Sequence, residues 1–125
     1  AIIIQIMEND IYKIYHNNFG ISFKWKNTNL VERKNKIQIV FRDMGFYLTE
    51  NEIKTFYKNI FETKNAKGCG CCSYEKESRC MLLKTPCEKV DIAINKKELN
   101  EIEDLIKGTL FQLNLDQYLD SICKN

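Results

Sequence analysis

Five of the six cysteines in this chain fall between Cys69 and Cys87, and their type and spacing bear most directly on chemistry. Cys69 and Cys72 form a Cys-x-x-Cys with Gly70 inside it, which suits a tight knuckle whose backbone amides face thiolates. Together with Cys80 and Cys87 they supply four sulfur ligands for a tetrahedral structural Zn²⁺, with Cys71 or His16 as substitutes. The weak point of that set is its second half. Knuckle pairs usually have about two to four residues between them, and Cys80 and Cys87 are further apart. Three other fates stay open. The cysteines can be small core hydrophobes, as suits Cys80 ahead of Met81-Leu82-Leu83. They can pair as a disulfide, Cys69 or Cys72 with Cys80 or Cys87. They can also act as reactive thiols.

A thioredoxin-like role fits poorly, because its Cys-x-x-Cys opens a helix whose dipole lowers the thiol pKa. Here the motif follows a helical pattern and precedes polar Ser73-Tyr74-Glu75-Lys76-Glu77-Ser78. His16 is the only histidine and falls in a turn pattern. A Cys–His nucleophilic pair is chemically reasonable, but nothing in the spacing brings the two together. The sequence has no phosphate-cradling glycine loop and no serine elbow. Glu52 and Glu98 have the chemistry of acid/base groups, but helix capping explains them more simply. No catalytic residue is assigned, and no cofactor beyond a candidate zinc ion.

The elements that must position these residues belong to one domain, expected over residues 7–125. At 125 residues the chain can build a core without obligatory staples. Ala1-Ile2-Ile3-Ile4-Gln5-Ile6 is apolar but short, and lacks the basic flank of a signal peptide. Met7 suits a natural start, which makes residues 1–6 an extension; the alternative is a short first strand. Without a secretory signal or a spanning run the expected compartment is cytoplasmic, where thiols stay reduced. A net charge of +2 is too weak to suggest a nucleic-acid surface. A basic module using Lys24, Lys26, Arg33, Lys34 and Lys36 therefore ranks third.

Residues 11–15 and 19–25 read as a hairpin around His16-Asn17-Asn18. In its second arm Phe19, Ile21, Phe23 and Trp25 alternate with Gly20, Ser22 and Lys24, so the aromatic side is expected to face the core and the other side water. Residues 37–41 and 46–48 form two further strands around a turn over Arg42-Asp43-Met44-Gly45. Thr49 and Glu52 make a capping box, and Ile53, Phe56, Tyr57, Ile60 and Phe61 follow at helical spacing. After the cysteines, short strands at 81–83 and 90–94 lead into a second box, Asn95 with Glu98. That helix is expected to end at Gly108, and Asn114 to cap a short final helix carrying Leu115, Tyr118, Leu119 and Ile122.

Residues 45–60 laid over residues 91–106 align the strand ends, both cap positions and the first helical stripe without a gap. The repeat spans approximately residues 37–62 and 80–108, joined by a connector over 64–79. Each unit has an apolar strand face and an apolar helix stripe, best buried against its twin. The expected fold class is α+β: an antiparallel sheet with helices on one face, built from two pseudo-repeated units, plus a short C-terminal helix.

The junction Met44-Gly45-Phe46-Tyr47-Leu48-Thr49-Glu50-Asn51-Glu52-Ile53, and Arg79-Cys80-Met81-Leu82-Leu83-Lys84-Thr85-Pro86 leading into Ile92-Ala93-Ile94-Asn95, carry a resemblance. The chain from residue 11 onward resembles a family of short bacterial proteins, a domain of unknown function found mainly in Bacteroidetes-type bacteria. Members of that family often show a Cys-x-x-Cys in the first hairpin, where this chain has Tyr15-His16-Asn17-Asn18. The resemblance implies no activity. The expected function is a small non-enzymatic binding or interaction module with a cysteine-rich connector, holding zinc or not. Its partner would be another protein or a second copy, with no membrane. The alternative is a thiol or redox protein.

Overall fold

The computed structural model describes residues 10–26, 36–66 and 78–123. Four strands, β1 (Ile11–His16), β2 (Gly20–Trp25), β3 (Ile37–Phe41) and β4 (Met44–Leu48), form an antiparallel sheet in chain order. Helix α1 (Glu50–Asn65) follows, then β5 (Met81–Lys84) and β6 (Asp91–Ile94), then helix α2 (Lys96–Cys123). The fold is α+β, but β5 and β6 make a separate two-stranded antiparallel sheet instead of joining the first. At the edge of β6 the Ala93 carbonyl accepts a hydrogen bond from the Arg42 guanidinium at 3.1 Å, so a side chain meets an edge acceptor that another strand would otherwise take.

The register fixes the two faces of the larger sheet. Cross-strand partners Tyr15, Ser22, Ile39 and Phe46 point one way, and Lys13, Phe23, Gln38 and Tyr47 the other. On the first face Ser22 is bonded to Thr109 of α2, and the Phe46 ring meets Phe56 of α1. Ile37, Ile39, Phe41, Ile53, Phe56, Ile60, Leu83, Ile94, Ile102 and Ile106 are buried in the main core here. The expectation for β2 is therefore reversed. The side carrying Gly20 and Ser22 meets the helix, and Ile21, Phe23 and Trp25 turn to the opposite face, with only Lys24 solvated as expected. Small side chains let a helix come close, as Leu105 does over Gly20. Phe19 precedes the strand and stacks on Phe41 in the main core.

Both capping boxes form. The Glu52 amide donates to Thr49 Oγ1 and the Thr49 amide to Glu52 Oε1, and Asn95 and Glu98 exchange the same pair of bonds. The second helix does not stop at Gly108. It runs unbroken for 28 residues, so the separate C-terminal helix capped by Asn114 is absent. Gly108 is there for a different reason: a Cβ at this position would overlap the Tyr15 ring. The turn between β3 and β4 is also tighter than expected. It holds only Arg42 and Asp43, with Arg42 in the left-handed region at φ 55°, and Gly45 lies within β4.

Candidate functional site

Cys69, Cys71 and Cys72 lie outside the described residues. Cys80 directly precedes β5 and is partly buried, whereas Cys87 is exposed in the turn after it. A four-residue strand rises roughly 13 Å, so β5 holds these two cysteines at opposite ends and does not bring them together. His16 ends β1, in the other sheet. Among the described residues no group of three or more His, Cys, Asp or Glu side chains is placed to hold a metal ion.

Several polar groups that looked available for chemistry are occupied structurally. The Glu98 carboxylate receives Nε and an Nη of Arg79, both at 3.0 Å, as well as the Asn95 amide, and Arg42 approaches at 3.9 Å. Burial alone would raise its pKa. The Arg79 hydrogen bonds, the Asn95 amide and the two positive charges outweigh that and hold the carboxyl below its ordinary value. Glu98 is thus a cap and an ion-pair anchor. Tyr15 donates its hydroxyl to the Asp104 carboxylate at 3.0 Å, and that bond, followed by burial and the carboxylate charge, raises its pKa. Asn17 completes the same contact. Its side-chain oxygen accepts from the Phe19 and Gly20 amides to shape the hairpin turn, and its NH₂ reaches the Glu101 carbonyl and Asp104. The β1–β2 hairpin is pinned to α2 this way, and nothing in the spacing of Tyr15, Asn17 and Asp104 announced it.

A concave feature lies on the sheet face opposite Ser22. A recess of about 840 Å³ is lined there by Ile11, Ile21, Phe23, Trp25, Gln38 and Val40 and reaches the turns at either end of the neighbouring strands. Ile11, Ile21 and Phe23 form a second buried apolar cluster with Trp25 and Val40 packed on it. The Phe23 and Trp25 rings meet edge to face at 5.2 Å. The one polar side chain on the floor is fixed: Gln38 accepts from the Trp25 indole N–H at 3.5 Å and donates to the Phe46 carbonyl at 3.3 Å. Along β1, exposed Lys13 and His16 border the recess, with Arg42 and Asp43 at the β3–β4 turn. Size and lining match a small-molecule site, which is mostly apolar walls with a few polar groups and some hundreds of Å³ in volume. Its signal in the sequence was the period-two pattern of β2, read with the wrong face inward.

Comparison with family models, with curated proteins and with solved structures finds no match for this chain. Among the described residues no helix is long and apolar enough to cross a membrane.

Proposed function

We propose that this protein is a small non-enzymatic binding module whose ligand occupies the recess opposite Ser22. The observation that carries the reading is the recess itself: a cavity of about 840 Å³ with mainly apolar walls and Lys13 and His16 on one rim. That combination fits an apolar or aromatic body bearing an anionic end, with the body against Phe23, Trp25 and Val40 and the anion toward Lys13. In this reading both helices back the other face of the sheet, which the Ser22–Thr109 and Phe46–Phe56 contacts support. The two strand–cap–helix units are read as a duplication, supported by their matching reciprocal caps. We place the module in a reducing cytoplasm, where zinc or free thiols in the 64–79 connector would be accessory to binding.

The test compares decanoate with decanol by equilibrium binding. The carboxylate is expected to bind more tightly, and Lys13→Glu to remove the difference. Equal binding of both by the unaltered protein would remove the anionic end from the proposal, and binding of neither would remove the ligand.

A further inference from the structure

We infer that the C-terminal half of α2 is a self-association surface that takes the same stripe of a second copy of this chain. Phe111, Leu115, Tyr118, Leu119 and Ile122 are between 37% and 67% exposed. Their spacing puts them on one side of the helix. At about 100° per residue they fall on the side opposite Leu113 and Gln117. Those two residues face the rest of the molecule: Leu113 is buried in the main core, and the Gln117 amide reaches the Glu50 carboxylate of α1. The stripe is therefore a second apolar face, pointing away from the one that holds the helix in place.

Charge decides between occupants. Gln112, Asn114 and Ser121, which flank the stripe, are uncharged, while Asp116 and Asp120 lie on the Leu113 side. Lys107, exposed one turn ahead of Phe111, lies beside the line of the stripe. Antiparallel pairing of two copies sets it opposite the Ile122 end of the partner stripe, away from the other Lys107, so no like charges meet. A membrane-surface helix carries several Lys and Arg along its polar face; here a single lysine, Lys107, lies beside the stripe, and Asp116 and Asp120 lie further round. The stripe supplies about 500 Å² of apolar surface per copy, and the roughly 1,000 Å² that two copies bury reaches the lower bound for a specific interface. Two-fold pairing satisfies both stripes at once, since each surface is its own complement.

Sedimentation equilibrium from micromolar to submillimolar protein tests the inference. The mass is expected to rise toward twice that of the chain. Leu115→Asp and Tyr118→Asp, both at exposed positions, should each give a monomer with unchanged helical circular dichroism. Phe61→Asp, exposed on α1, should leave the dimer intact. A monomer throughout the range would overturn the inference, as would a dimer indifferent to both stripe substitutions. A monomer that co-sediments with phosphatidylcholine vesicles would assign the stripe to lipid and overturn it equally.

Discussion

Ser22 and Thr109, 87 residues apart in the chain, place their hydroxyl oxygens 2.7 Å from each other in the buried contact between β2 and α2. Thr109 also lies 2.6 Å from the Leu105 carbonyl, to which it donates, so the proton in the Ser22–Thr109 bond comes from Ser22. Among the described residues the Ser22 hydroxyl has one other acceptor in reach, the Tyr15 carbonyl at 3.3 Å. A polar pair at this point explains why the Gly20–Ser22 side of β2 faces the helix although the opposite side is more apolar.

Replacing Thr109 by Val preserves the shape but leaves Ser22 with its weaker acceptor. The expected cost is about 1–3 kcal/mol, since a buried donor loses its better partner. Ser22→Ala should cost less, because Thr109 keeps the Leu105 carbonyl. Urea unfolding of the two variants checks the order, and equal or reversed costs would contradict the assigned proton direction.

The Gly108→Ala variant separates two explanations for that glycine. Helix propensity alone favours Ala by about 1 kcal/mol. Overlap with the Tyr15 ring, which Asp104 holds in place, costs about 1–3 kcal/mol. Net destabilisation in urea is expected, whereas a more stable protein would mean that Tyr15 moves aside freely.

The legible part of the fold was local. Thr49 with Glu52 and Asn95 with Glu98 carry their own start signals, because the bonding partners are three residues apart. Gly108 was misread because a glycine needed for close packing looks the same in sequence as one that ends a helix. Alternation in β2 marked two faces but not which of them would meet a helix; that choice depends on Thr109 and Leu105, far along the chain. The recess was hidden for the same reason, since Ile11, Phe23, Gln38 and Val40 meet only through strand pairing.

Acid should weaken the protein through Glu98. Its carboxyl is held below the ordinary value in the folded state, so its contribution is complete above the unfolded value of about 4.3 and is lost as pH falls through the folded value. Glu98→Gln keeps an oxygen for the Asn95 amide but removes the charge beside Arg79 and Arg42. The urea midpoint of the variant should fall less steeply below about pH 5 than that of the parent. Parallel curves would show that Glu98 takes no part in the acid response.

The cysteines divide by the geometry of β5. With Cys80 and Cys87 at opposite ends of that strand, one ion that uses Cys69 and Cys72 has room for only one of them. If zinc co-purifies near one per chain, then either Cys80→Ser or Cys87→Ser should release it, not both. Metal analysis of the two variants reads this directly, and loss of zinc from each would contradict the separation.

The binding proposal is tested most directly by fluorescence, because Trp25 is the sole tryptophan and lines the recess. Titration with decanoate is expected to give a saturable change in Trp25 emission. Val40→Phe, which fills the recess, should weaken that response at least tenfold while the far-ultraviolet circular dichroism stays the same. An unresponsive Trp25, or a response that Val40→Phe leaves untouched, would contradict a ligand in the recess.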